Sequence, residues 1–362
     1  MPGPALTHRS ARTLTSGRTR TLAAGTTAAV VALGLAAAGA AAAAVAVPAV
    51  PVRAAAAPAV APAAVAAVSD ADLAQRWAPI HYQDVDQTGT NALGGRSDYL
   101  AAYDFDGDLN ARNNWENTGN HPLAATAYYS VMETSSHWFV TYMFFHPRDW
   151  SDSIFDTEHE NDAEGVMVAV QKDGSAYGVL RGAVTVAHSD FYSYTPQGST
   201  WGAGAETVDG TLQMATSPHD GLSHPVTAQE AKGHGLKARP GYDIKGDGVI
   251  YYPAGRAEVP EHPDDRDVSY RLVDVHAPGG LWAQRDNSQL FASAGTFAGD
   301  TSGSCGDGGI SYTQNSANAP WGWDDGDDAP GRGALATDPA GLSASYFAIP
   351  EPLNRTYVDS PF

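Results

Sequence analysis

Residues 165–186 read GVMVAVQKDGSAYGVLRGAVTV, and this stretch decides the fold. Gly165–Gln171 and Ala176–Val186 are β-type runs joined at Lys172-Asp173-Gly174, and Asp-Gly between two such runs marks a hairpin. Upstream, Ala127–Glu133 and His137–Phe145 are dense in Tyr, Val, Phe and Trp and are split by a Thr-Ser-Ser turn. Downstream, Glu206–Met214 carries a second Asp-Gly pair at Asp209-Gly210. Gly248–Tyr252, Val268–His276 and Ser343–Ile349 read as further strands. Helices are few. Ala71–Trp77 follows Ser69 and Asp70, either of which can cap it. Thr227-Ala228-Gln229-Glu230 has the form of a capping box that Gly233 could close. There is no βαβ alternation, no phosphate-binding glycine loop, no heptad and no internal repeat. The chain is expected to be all-β, a β-sandwich with long loops and a few short helices.

The N-terminus has another character. Residues 1–53 hold five Arg and no acid, and an apolar Ala-rich run extends from Leu22 to Val47. A positive start, an apolar stretch and small residues suited to cleavage form an export signal, expected over residues 1–47. The run is also long enough to span a bilayer uncleaved. Residues 48–68, almost wholly Ala, Pro and Val, cannot offset their ordering entropy and read as a disordered linker. Residues 69–362 are then one β-sandwich domain of a secreted protein, with no stable membrane span after processing and a monomer expected. Beyond residue 53 the chain carries 16 basic and 41 acidic side chains, a formal charge of −25. That field repels nucleic acid and favours divalent cations. One cysteine, Cys305, excludes an internal disulfide. It sits in a Gly-rich loop that could present a nucleophile, although a lone thiol without a role is the plainer reading.

The densest chemistry lies just before the hairpin, in Asp156-Thr157-Glu158-His159-Glu160-Asn161-Asp162-Ala163-Glu164. On an extended backbone His159, Asn161 and Ala163 would share one face and Glu160, Asp162 and Glu164 the other. Three carboxylates on one face call for a cation, a basic partner or protons. Oxygen ligands suit Ca²⁺, Mg²⁺ or Mn²⁺, and an added imidazole leaves Zn²⁺ as a weaker candidate. A solvated acidic loop is the plain alternative. His188 follows the hairpin's second arm and His234 follows the capping box. If both converge on Asp162 and Glu164, they are candidate catalytic groups for hydrolysis by a metal-activated water. His146 and Asp149, in the loop expected after the Trp138–Phe145 strand, could join them. His224 belongs to the same scattered histidine set. A weaker second cation site is Asp104, Asp106 and Asp108 around Gly107, which can equally be a plain Asp-Gly turn. Tyr192, Tyr194 and Trp201, and the acidic aromatic run Trp321–Asp328, could contact sugars or simply pack loops.

The run His159–Glu164 resembles the His-x-His-Asp-Trp-Glu heart of the necrosis-inducing (Nep1-like) protein family and the His-x-x-Asp-Trp-Glu motif of the related vacuolar-sorting-associated family. Leu73–Ile80, the Trp138–Phe145 strand, and Gly248–Pro253 with Arg256 are loosely similar to segments of the same families. The resemblance implies a β-sandwich, metal roles for His159, Asp162 and Glu164, and, for the cytolytic branch, action on sphingolipid headgroups. Asn161 stands where the cytolysins have their second His, Ala163 where they have Trp, and their usual disulfide is impossible here. These departures weigh against cytolysis. The expectation is a divalent-cation-binding protein that recognises an extracellular glycan or glycolipid headgroup. A metal-dependent hydrolase and a non-catalytic cell-envelope protein are the alternatives.

Overall fold

The computed structural model describes residues 68–152, 158–242, 244, 246–300, 317–327 and 329–362. The expected export segment, all but the last residue of the linker, and Cys305 lie outside the described residues. Among the described residues no helix is long and apolar enough to cross a membrane.

The chain enters through α1 (Asp70–Trp77), where the Ser69 side chain accepts the Asp72 N–H and caps the first turn as expected. Leu73, Ala74 and Trp77 are the buried face. Six strands follow: β1 (Ile80–Asp84), β2 (Thr126–Thr134), β3 (His137–Asp149), β4 (His159–Gln171), β5 (Val179–Ala187) and β6 (Asp190–Pro196), with the one-turn α2 (Asn114–Asn117) before β2. Short strands come next: β7 (Gly202–Ala203), β8 (Gly210–Leu212) and β9 (Met214–Thr216). Then come β10 (Ser223–Gln229), β11 (Leu236–Ala238), β12 (Gly248–Ala254) and β13 (Val268–Asp274). After β14 (Phe291–Ser293) and β15 (Thr296–Phe297), the helices α3 (Ala334–Thr337) and α4 (Pro339–Tyr346) precede β16 (Phe347–Ala348) and β17 (Tyr357–Asp359).

One mixed sheet dominates, in the order β11-β10-β1-β12-β13-β2-β3-β4-β5-β6-β8. The consecutive run β2 to β6 is antiparallel throughout, while β1–β10, β12–β13, β13–β2 and β6–β8 are parallel. The sheet curls until β11, at one end, packs on β4 and β5. The result is a sandwich close to a barrel. β3 and β4 are 13 residues each and are buried on both faces nearly end to end. Their apolar halves are therefore continuous runs rather than alternating ones. Met143, Phe144, Met167 and Val168 have no exposed surface. Each such side chain contributes about 1.5–3 kcal/mol of burial. Asp173-Gly174 makes the expected turn, with Gly174 at φ 91° and the Ser175 N–H donating to Asp173 Oδ1.

Three local expectations are corrected. Thr227–Glu230 is not a helix: Ser223–Gln229 is a strand held between β1 and β11, and the Thr227 hydroxyl meets His81 Nδ1 at 3.0 Å instead of capping. Ser343–Ile349 is mostly the end of α4, which starts at Pro339 behind an Asp338 side chain that accepts the Gly341 N–H. Asp209-Gly210 turns no hairpin, because β8 leaves it to run parallel to β6.

Candidate functional site

The site is built on the polar first half of β4, every residue of which from His159 to Glu164 is buried. The expected alternation fails at one position. Asn161 has φ 62°, the left-handed region, and this resets which face each neighbour takes. Glu160 turns away, accepting N–H groups of Trp115 at 3.3 Å and Asp300 at 2.6 Å. Burial pushes its carboxyl up to about 8. His159, Asp162 and Glu164 instead line one open pocket of about 400 Å³ with Asp149, Ala163, His188, Ser189, Ala317, Asn318 and Trp323. Asn161 itself is committed to loops. Its Oδ1 accepts from Asn114 at 2.6 Å, and its amide donates to the Ala111 and Ala298 carbonyls at 3.0 and 2.9 Å.

His159 donates Nδ1–H to the Asn161 carbonyl at 2.8 Å and sets Nε2 3.2 Å from Asp149 Oδ2. Burial opposes its charged form, but Asp149, aided by Asp162, outweighs burial and raises it to about 9. Asp149 is raised by burial, with His159 opposing. Glu164 accepts the backbone N–H of His188 on Oε1 at 2.5 Å and that of Leu236 on Oε2 at 2.8 Å. Burial, reinforced by the charge of Asp162, still holds it well above the ordinary carboxylate range.

The candidate histidines do converge. His188 is half-exposed, sets Nε2 2.8 Å from Glu230 Oε1, and is raised chiefly by that hydrogen bond. His234 is fully buried. Its Nδ1 lies 3.1 Å from Asp162 Oδ2, and its Nε2 makes a 3.3 Å charge contact with Asp98 Oδ1 that is too bent for a directed hydrogen bond. Burial opposes its charge, yet Asp162 and Asp98 raise it to about 10. His234 stacks on His146 with centroids 3.8 Å apart and planes 4° apart. His146, depressed by burial and by His234, is held well below the ordinary imidazole range. So His146 and Asp149 both join the cluster, from within β3 rather than from a loop after it. His234 touches the cluster from behind, without reaching solvent.

Among the described residues, five non-glycine residues have positive φ: Leu93, Asn161, His188, Lys232 and His234. Four of the five belong to this cluster or its loop. Strained backbone concentrates where side-chain direction matters for function. The glycines around His234 serve this arrangement: a Cβ on Gly233 would lie 2.9 Å from the His188 ring, and one on Gly235 2.6 Å from Glu230 Oε1. They make room for the His188–Glu230 pair, not for a ligand. A second pocket of about 330 Å³ adjoins, lined by Asp149, Trp150, Ser151, His188, Glu230, Lys232 and Gly233.

Other candidates lie elsewhere. Asp106 and Asp108 form a ladder of turns: their carboxylates take the N–H groups of Asp108 and Asn110 and the amides of Asn117 and Asn113, and Gly107 N–H donates to the Asp104 carbonyl. That is the plain-turn reading of Asp104, Asp106 and Asp108. His224 is buried between the Ala78 carbonyl and Asp220. Tyr194 and Trp201 are buried, and Lys237 sits over the Tyr192 ring. Among the described residues, the carboxylates that come within 4.8 Å of one another as a three-ligand group are Asp190, Asp325 and Asp327. Asp190 and the 321–328 run are far apart in sequence, and β6 brings them together. Trp323 of that run packs on the pocket, donating Nε1–H to the Ala163 carbonyl at 2.8 Å. Asp98 stands in no recognisable sequence pattern, and the sequence marks Glu230 only as the acid of the capping box, not as a partner of His188.

No family model matches this chain, and no curated protein matches it in sequence. Solved structures are similar over part of its length. A non-toxic protein named HaNLP3 is 13% identical, with 58% of this chain and 77% of that one covered and a TM-score of 0.30. Necrosis and Ethylene inducing Protein 2, from the causal agent of cocoa's Witches Broom disease, is 15% identical, with 62% and 85% covered and a TM-score of 0.28. NLPPya in complex with glucosamine is 16% identical, with 56% and 70% covered and a TM-score of 0.26. With superpositions this loose, no residue role or activity is carried across to this chain.

Proposed function

We propose that the pocket on β4 binds a divalent cation and, with it, a hydroxyl-rich headgroup of an extracellular glycan or glycolipid. One observation carries the reading. Asp149, Asp162 and Glu164 line a single open pocket, and burial holds two of them, Asp149 and Glu164, above the ordinary carboxylate range. Burial disfavours the charged carboxylates, and a cation entering from the pocket would relieve that cost on the side that His159 and His234 do not cover. Asp149, Asp162 and Glu164 do not come within 4.8 Å of one another as a trio, so one or two of them would hold it with water completing an oxygen shell, which suits Ca²⁺, Mg²⁺ or Mn²⁺. Both nitrogens of His159 already face acceptors, so His159 would orient Asp149 and would ligate only after giving up that contact. This weighs against Zn²⁺. Asn318 and Trp323 line the same pocket, and a polar and an aromatic side chain beside carboxylates fit a polyhydroxylated ligand. The cation would supply a Lewis-acidic anchor for such oxygens.

A second reading has its own support. His188 is half-exposed at the pocket's edge and is held by Glu230, so its imidazole could carry a proton for a bound substrate, as in a metal-dependent hydrolase. The test is a glycan array probed with the full chain, with and without Mn²⁺. Cation-dependent retention of a sugar class supports the binding reading, and turnover lost in His188→Gln with retention intact supports the hydrolase. Neither in any cation leaves the non-catalytic envelope protein.

A further inference from the structure

Asp98 lines neither pocket, yet it stands behind both. It is fully buried on the 3₁₀ turn Leu93–Asp98. Its carboxylate collects donors from three places in the chain and faces the charge of a fourth group. Oδ2 accepts the Asp86 N–H at 2.9 Å, and Oδ1 accepts Trp150 Nε1–H and the Lys232 N–H, both at 2.8 Å. Oδ1 also lies 3.3 Å from His234 Nε2. On the far side of that ring, His234 Nδ1 is 3.1 Å from Asp162 Oδ2.

A buried carboxylate without partners is costly, so a carboxylate gathering this many donors fixes each of them. The donors it fixes are the pocket's supports. Among the described residues, His234 Nδ1 meets Asp162 Oδ2, and the other oxygen, Oδ1, takes the Ala163 N–H at 2.8 Å. Lys232 and Trp150 are walls of the adjoining pocket, and their backbones also meet, Trp150 N–H donating to the Lys232 carbonyl at 3.3 Å. Lys232 and His234 both hold left-handed φ, at 74° and 53°, so the loop needs an anchor to keep them there.

We propose that Asp98 is the positioning residue of this site: through His234 it fixes the oxygen that Asp162 presents to the pocket, and through Lys232 and Trp150 it fixes the neighbouring wall. This deepens the cation-site reading and rests on it. Groups that orient a metal ligand from behind typically change cation affinity roughly 10–100-fold when removed.

The experiment titrates Mn²⁺ alone into the full chain by calorimetry, in wild type, Asp98→Asn and His234→Asn, and follows the His234 ring signals by NMR in chelator. Asp98→Asn keeps the shape and removes the charge. His234→Asn keeps an amide donor toward Asp162 but cannot reach Asp98. The expected result is Mn²⁺ binding weakened about 10–100-fold in both variants, with His234 ring signals displaced in Asp98→Asn before any cation is added. Wild-type affinity with unmoved ring signals in a folded Asp98→Asn overturns the proposal. If Asp98→Asn fails to fold, His234→Asn decides by the same affinity criterion. If wild type itself binds no Mn²⁺, the cation-site reading fails, and the ring signals alone judge Asp98: displaced, the positioning role stands; unmoved, it falls.

Discussion

The amide of Asn114 donates to the Oδ1 of Asn161 at 2.6 Å, and through this contact α2 holds β4 in a left-handed turn. The site depends on that turn. Without it Glu160, not His159, would share a face with Asp162 and Glu164.

Asn161→Ala is expected to destabilise the protein by about 2–4 kcal/mol, from three lost buried hydrogen bonds and a methyl side chain forced to positive φ. The loss should be present in chelator and larger in Mn²⁺, because the turn that Asn161 holds also sets which side chains face the pocket. Urea denaturation in both conditions checks it. A loss confined to the cation-bound form would instead place Asn161 in the site.

Gly235→Ala should part His188 from Glu230, since the new methyl would lie 2.6 Å from Glu230 Oε1 and 3.0 Å from His188 Nε2. Both neighbours are the ends of side chains and can move, so the cost in stability is expected to be below ~1 kcal/mol. The hydrogen bond to Glu230 is the main cause of the raised His188 pKa, so that pKa should fall toward the ordinary imidazole value. NMR titration of His188 reads this directly, and an unchanged pKa would contradict the pairing.

Stability without cations should decline on the alkaline side. His159 and His234 are raised in the folded protein to about 9 and about 10, from an ordinary 6.5. Their contribution is fully present below about pH 6.5 and is lost as pH rises through those values. Glu160, raised by burial to about 8, acts in the same direction: its share is present below the ordinary value of 4.5 and lost as pH rises through 8. Denaturation midpoints in chelator should therefore fall between pH 7 and pH 10. His159→Gln should flatten part of that slope. A flat wild-type profile would mean that the imidazoles are not held charged.

Much of the sheet was legible because β2 to β5 carry long apolar runs and an Asp-Gly turn, signals that local sequence expresses directly. The capping box at Thr227–Glu230 misled because sheet pairing on both sides overrode a local preference, and Thr227 found His81 instead of a helix N-terminus. The cluster His159–Glu164 with His188 and His234 was visible as a density of ligating residues. Its geometry was not, since nothing in the sequence marks Asn161 as left-handed. Asp98 was hidden for a different reason. Its importance comes from donors just after β1, just after β3 and in the 231–234 loop, which only the folded chain brings together.

The most direct test of the central claim is thermal melting of the full chain and of Asp162→Ala, after chelation and then with Ca²⁺, Mg²⁺, Mn²⁺ or Zn²⁺. Binding to the native state alone adds about 2.7 kcal/mol at a hundredfold excess over the dissociation constant, a rise of a few degrees. That rise is expected for at least one of Ca²⁺, Mg²⁺ and Mn²⁺ in wild type, and is expected to disappear in Asp162→Ala. No rise with any cation, or an equal rise in Asp162→Ala, would contradict the claim.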